Sequence, residues 1–218
     1  MSANDRIVFL FDVDNTLLDN DRVTADLKRH LEQQVGPERQ QRYWQFFEQL
    51  REEVGYADYL GALQNYRREY PRDPGLLTVS HFLLNYPFAT RLYPDSLDAI
   101  EHVKQHGKAA VLSDGDVVFQ PHKVERAGIA MAVENNVLIY IHKEKELDDV
   151  ERRFPAEHYV LIDDKLRILT AVKKSWGEKV TTVFPKQGHY AHDPEIIAAN
   201  PPADISIDRI GELISVFK

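Results

Sequence analysis

Asp12 and Asp14 stand two residues apart at the point where the apolar run Ile7–Phe11 gives out. Side chains at i and i+2 of a strand share a face, so a strand reaching Asp14 would set the two carboxylates side by side. Like charges that close resist joint ionisation unless a cation sits with them. Such a pair can divide a reaction between its members. One carboxylate attacks as a nucleophile, and the other delivers a proton to the leaving group and then activates water.

Other apolar runs end in polar residues too. The run at 109–112 leads to Ser113, Asp114 and Gly115, and that at 136–141 to His142 and Lys143. The run at 159–162 leads to Asp163, Asp164 and Lys165. Further runs lie at 180–184 and 204–207. All are continuous rather than alternating, the pattern of strands covered on both faces in a parallel sheet. Helix-like segments at 95–105, 117–126, 147–154, 166–176 and 209–217 fall between or after them. This alternation is that of an α/β fold: a Rossmann-like core whose parallel sheet is flanked by helices. Ligands bind beyond the carboxyl ends of such strands, so the polar ends are expected to converge.

Residues 20–90 break the rhythm. Helices are expected at 23–35, 38–53, 58–70 and 79–84, with Pro37, Gly55, Pro71 and Pro74 as punctuation and no strand among them. The expected division is an α/β core of residues 1–19 and 91–218, with an all-α insertion at 20–90.

A cluster of carboxylates with no Cys or His among its ligands suits a hard ion, and Mg2+ is the usual choice beside phosphate. Asp12 would be the nucleophile on phosphorus and Asp14 the acid/base. Ser113 would donate to a non-bridging oxygen, and Lys143 would neutralise phosphoryl charge.

These residues, in this order, resemble the haloacid dehalogenase (HAD) superfamily in its version with a helical cap between the first two motifs. The stretch DVDNT at 12–16 resembles motif one, Ser113 motif two, Lys143 motif three and the Asp163, Asp164 pair motif four. The resemblance implies a C1-type cap at 20–90, an aspartyl-phosphate on Asp12 and Mg2+ as cofactor. It implies a metal site of Asp12, Asp14 (through its backbone carbonyl), Asp163 and Asp164, with Asp164 the direct ligand and Asp163 direct or through water. Substrate would meet Asp14, Asn15, Thr16, Ser113, Asp114, Gly115 and Lys143, with Thr16 also positioning the motif-one loop. Two departures stand out. Ile168 and Leu169 occupy the position of a further acidic residue in many relatives, and Lys145 competes with Lys143 for motif three, a choice that strand-end register decides. Family members that displace halide resemble the chain at Asp12 but lack an acid at Asp14 and need no Mg2+, because halide leaves without a proton. The expectation is therefore a phosphatase for a small phosphate ester. A carbon–halogen hydrolase and a catalytically silent HAD-fold binding protein are the alternatives. A phosphonate-cleaving enzyme would need a cap lysine, and the insertion offers only Lys28, on an expected exposed helix face.

Several features have ordinary explanations. Tyr43, Phe46, Phe47 and Leu50 fit one buried helical face. Tyr56, Asp58 and Tyr59 sit at a helix junction and are candidates for facing substrate. Arg67, Arg68 and Arg72 read as a solvated face, and the loop from Gln187 to Asp193, with His189 and His192, as a polar rim rather than a ligand set. A net charge of -8 argues against nucleic-acid partners. No Cys is present, which excludes disulfides and thiolate metal sites. No run approaches the roughly 20 apolar residues of a membrane span, and the first residues do not resemble a signal peptide. The expected location is cytoplasmic, without membrane partners, and monomer and homodimer stay equally open.

Overall fold

The computed structural model describes residues 6–218. Residues 1–5, which the sequence reading assigned to the core, lie outside them. In chain order the elements are β1 (Ile7–Phe11), α1 (Asn20–Val35), α2 (Pro37–Val54), α3 (Tyr59–Glu69), α4 (Leu76–Asn85), α5 (Ser96–Val103), β2 (Lys108–Asp114), α6 (Phe119–Arg126), α7 (Ile129–Ala132), β3 (Val137–Tyr140), α8 (Leu147–Arg153), β4 (His158–Ile162), α9 (Leu166–Trp176), β5 (Val180–Pro185), α10 (Pro194–Ala198), β6 (Ile205–Ile207) and α11 (Leu213–Val216). The six strands form one sheet in the order β3-β2-β1-β4-β5-β6, with every pairing parallel. The chain builds outward from β1 to β3, then crosses back to β4 on the other side. The reversal places a crevice at the carboxyl end of β1, between β2 and β4.

The continuous apolar runs reflect burial on both faces. Phe9 and Phe11 point into one core, and Val8 and Leu10 into the other. The first core continues into α1–α4. Val23, Leu27 and Leu31 recur every four residues along α1, and Tyr43 and Phe47 do so along α2. Asp19 caps α1 by accepting from the Arg22 amide at 2.8 Å, and Asp58 caps α3 by accepting from Gly61 at 2.7 Å. Asp58 is thereby a helix cap. Gly55 closes α2 with φ +86, and a Cβ there would lie 2.5 Å from the His142 ring. Glycine is required twice over, by the left-handed backbone and by the close approach of the core loop.

Some expectations shift. The helix expected at 117–126 begins at Phe119, because the Asp116 carboxylate accepts from the amides of Val118 and Phe119 at 2.9 and 2.6 Å. The single helix expected at 209–217 is a 3-10 turn (Ile210–Glu212) followed by α11. The short helices α7 and α10 were not expected, since four or five residues carry too little periodicity to read. Arg67, Arg68 and Arg72 are exposed, as the solvated-face reading expects.

Asp73 ties the ends of the helical layer together. Its carboxylate, 2% exposed, accepts from Tyr66 Oη at 2.5 Å, Arg39 Nη1 at 2.7 Å and the Gly75 amide at 2.8 Å. Burial opposes its ionisation, but these donors outweigh burial and hold the carboxyl below its usual range. Asp73→Ala is expected to cost about 2–3 kcal/mol in urea unfolding at pH 7, because it strands the Tyr66 hydroxyl. A lowered folded-state pKa gives stability that is present above the unfolded value near about 4 and lost as pH falls through the folded value. The gap between variant and wild type should therefore narrow below about pH 4.

Candidate active site

β1 ends at Phe11, and Asp12 adds one more ladder bond, its amide donating to Ile162 O at 2.9 Å. The chain then turns at Asn15, with φ +61, and returns so that the Asn15 amide donates to Leu18 O at 2.7 Å. The two aspartates each meet their own lysine.

Asp12 is 2% exposed. Its Oδ1 lies 2.5 Å from Lys143 Nζ and 3.4 Å from Ser113 Oγ, and its Oδ2 lies 3.4 Å from Thr16 Oγ1. Lys143, with no exposed surface, also lies 2.5 Å from Asp163 Oδ2. Burial disfavours the Lys143 ammonium, but Asp12, Asp163 and Asp114 together hold its pKa above the usual lysine range. Burial likewise opposes ionisation of Asp12, and Lys143 and Lys165 overcome it, so Asp12 is lowered and stays a carboxylate. Asp163 is pushed up to about 6 by burial and by the charge on Asp12, against the pull of Lys143. Lys145 is exposed, so the strand-end register favours Lys143 over it.

Asp14 turns to α6. Lys123 Nζ lies 2.7 and 2.9 Å from its two oxygens, and Gln120 Nε2 lies 3.3 Å from Oδ2. Gln120 also donates to Ser113 Oγ at 3.1 Å. The sequence reading missed both Gln120 and Lys123. The available signal was position: with Phe119 and Val124 they occupy the buried face of a helix that directly follows Ser113.

The remaining expected residues divide by what holds them. Thr16 Oγ1 accepts from the Asp164 amide at 3.1 Å, joining the end of β4 to the loop after β1. Asn15 Oδ1 accepts from the amides of Asn20 and Asp21 at 3.0 and 3.1 Å, so its side chain secures the start of α1. Asp114 Oδ1 accepts from the Lys143 amide at 2.7 Å, and burial raises its pKa. The Gly115 amide donates to Tyr140 O at 2.9 Å. Tyr56 and Tyr59 both line a cavity of about 610 Å3 that also reaches Asp14, Asn15, Asp114 and Asp164. Lys28, expected on an exposed face, is exposed and yet borders the outer end of this cavity, its ammonium 4.8 Å from the centre of the Trp44 ring. His189 lies at the cavity rim, with its Nδ1 2.7 Å from Asp21, in keeping with the polar-rim reading.

One carboxylate oxygen from each of Asp12, Asp163 and Asp164 lies within 4.8 Å of the others. Asp164 is 1% exposed, yet neither of its oxygens has a hydrogen-bond partner among the described residues. Burial raises its pKa well above the usual value, only partly offset by Lys165. Buried polar atoms without partners are rare, and an all-oxygen carboxylate set fits a hard divalent cation. The Asp14 carboxylate is not part of this group, so only the backbone carbonyl named in the sequence reading could bring Asp14 to the ion.

The chain matches the family model of haloacid dehalogenase-like hydrolases over residues 8–175. It belongs to that family. A crystal structure from Burkholderia xenovorans, described as a haloacid dehalogenase-like hydrolase, is 58% identical, covers 97% of this chain and 96% of its own, and superposes with a TM-score of 0.93. The magnesium-bound HAD-hydrolase YfnB of Bacillus subtilis shares the fold at 18% identity and a TM-score of 0.63, over 98% of this chain and 99% of its own. An L-2-haloacid dehalogenase of Xanthobacter autotrophicus does so at 16% identity and 0.63, over 96% of this chain and 97% of its own. No curated protein sequence matches the chain. This HAD-like hydrolase contains no helix, among the described residues, long and apolar enough to cross a membrane.

The unpartnered Asp164 carboxylate yields a test of the cation site. In EDTA, Asp164→Asn should melt no lower than wild type, since it replaces a buried carboxyl that accepts no hydrogen bond from the described residues. Mg2+ should raise the melting temperature of wild type alone, by an increment equivalent to about 2.7 kcal/mol at a hundredfold excess over Kd. Differential scanning fluorimetry reads both effects, and an equal Mg2+ response in the two proteins would remove Asp164 from the site.

Proposed function

We propose that the protein is a Mg2+-dependent phosphatase that hydrolyses a phosphomonoester of a small metabolite through an aspartyl-phosphate. The observation that carries this reading is the pairing of a buried, partnerless carboxylate at Asp164 with a second acid, Asp14, on the same cavity. A halide leaves carbon without a proton and without a metal, so neither feature has a task in dehalogenation. A phosphate ester uses both. The neighbouring dehalogenases share the fold at under 25% identity, which does not carry their substrate over.

In this reading Asp12 attacks phosphorus. A bond forms from its carboxylate oxygen, and the bond to the leaving oxygen breaks. Lys143 keeps Asp12 ionised and aimed, and Ser113 donates to a non-bridging oxygen. Asp14 gives the departing oxygen its proton, then takes one from the water that attacks the aspartyl-phosphate, freeing phosphate and restoring Asp12. Asp12, Asp163 and Asp164 would hold Mg2+, which when bound supplies positive charge for the phosphoryl group. With all groups ionised, four carboxylates (Asp12, Asp114, Asp163, Asp164) face two ammoniums (Lys143, Lys165), an excess of negative charge that repels a phosphate dianion. A divalent cation would cancel that excess. Residues 20–90 would act as a cap on the core of residues 1–19 and 91–218, excluding water during attack. Contacts between them support this role: Arg51 of α2 donates to Tyr190 Oη, and Gly55 abuts His142.

Asp12→Asn is expected to lower phosphate release from p-nitrophenyl phosphate by at least about a thousandfold with the fold retained. EDTA should stop the wild-type reaction and added Mg2+ restore it. Halide release from 2-chloropropionate, unaffected by EDTA and without phosphatase activity, would refute the proposal.

A further inference from the structure

Lys123 is 1% exposed, pairs with Asp14 through both carboxylate oxygens, and has no part in the steps given above. Burying an ammonium costs several kcal/mol unless its partners compensate. Here one group, Asp14, supplies most of the hydrogen bonds. Two contacts go to Asp14, and a third, at 3.1 Å, goes to Asn20 Oδ1 at the start of α1. The ammonium also lies 6.0 Å from the ring centre of Tyr59 in α3 and 5.8 Å from that of Phe119 in α6. Asn20 Nδ2 reaches Tyr59 Oη at 3.4 Å, closing a ring of contacts between the helical layer and the core.

We propose that Lys123 is a positioning residue for Asp14: it aims the carboxyl at the leaving oxygen, faces the charge left when that proton is given up, and ties this aim to the helical layer through Asn20 and Tyr59. The inference rests on the phosphatase reading. As the phosphorus–oxygen bond breaks, the leaving oxygen takes the bond electrons and the Asp14 proton. The carboxylate that remains already faces an ammonium at hydrogen-bond distance, so no reorganisation is needed at that moment. Gln120 holds the same carboxylate from the neighbouring turn of α6 and connects it to Ser113. The lysine stem reaches Asp14 from the core while its head touches the helical layer, so movement of that layer removes partners from the ammonium and loosens Asp14.

The test compares two esters of similar size with Mg2+ present: phenyl phosphate, whose phenolate leaves poorly without a proton, and p-nitrophenyl phosphate, whose nitrophenolate needs little help. Lys123→Met is expected to lower kcat for phenyl phosphate by about tenfold more than for p-nitrophenyl phosphate, part of the range that general acids contribute. KM for both should change little. Lys123→Arg, which keeps a paired cation, should recover most of the difference, and Asn20→Ala should show a smaller loss of the same kind. If Lys123→Met does not fold, as judged by circular dichroism, Lys123→Arg and Asn20→Ala carry the comparison. Equal losses on both esters, or an arginine variant no better than the methionine one, would make Lys123 merely structural and overturn the proposal. Asp14→Asn separates the two readings. If it discriminates between the esters and the Lys123 variants do not, only this inference fails. If wild type hydrolyses neither ester, the phosphatase reading fails and this inference goes with it.

Discussion

The Lys143 ammonium, buried between Asp12 and Asp163 at 2.5 Å from each, is the contact on which the site depends. It joins the ends of three strands. Asp12 follows β1, Asp163 follows β4, and Lys143 arrives by the turn after β3 while its Nζ also reaches Leu112 O on β2 at 3.2 Å. Charges taken out of water at this density are tolerable only when each has an opposite partner in good geometry. The parallel order of the sheet supplies that geometry, because every strand delivers its carboxyl end to the same edge. A Lys143 placed one residue away would point elsewhere, and Asp12 and Asp163 would confront each other without it.

The compensation is incomplete in one place. Lys143 serves Asp12 and Asp163, Lys123 serves Asp14, and the Lys143 amide serves Asp114. Among the described residues, Asp164 alone of these buried acids has neither a hydrogen bond nor an ion pair. It sits where the oxygens of Asp12 and Asp163 also converge. The chain's own cations thus hold the other acids and leave one opening of the right charge and donor type for a divalent ion.

The helical layer is not an independent body resting on this edge. Its aromatic side chains run into the core in sequence, from Phe47 to Tyr59 to Phe119 to Phe88, with ring centres 4.8, 5.5 and 5.8 Å apart. Phe119 belongs to the same helix as Gln120 and Lys123, which hold Asp14. Packing of the layer and orientation of the second acid therefore share one helix. At the opposite rim, Asp21 of α1 accepts from the His189 amide at 2.8 Å, and Tyr190 meets both Arg51 of α2 and the Lys165 ammonium, 5.7 Å from its ring centre.

What could be read along the chain was whatever depends on neighbours in sequence. The six apolar runs, the helix at Leu166–Trp176 and the α-helical stretch after β1 follow from local periodicity, and the polar residue closing each run follows from the end of burial. Their common edge also followed, since parallel strands admit only one. Other features needed three dimensions. Asp12 pairs with Lys143 and Asp14 with Lys123, partners far from both aspartates along the chain. Lys123 lies 109 residues from Asp14 in the chain, and only folding brings its ammonium onto that carboxylate. Gly115 looked free until β3 arrived to take its amide. Backbone pattern is a property of adjacent residues and survives in the sequence. Which charge meets which is decided by long-range packing, and only the tertiary structure could settle it.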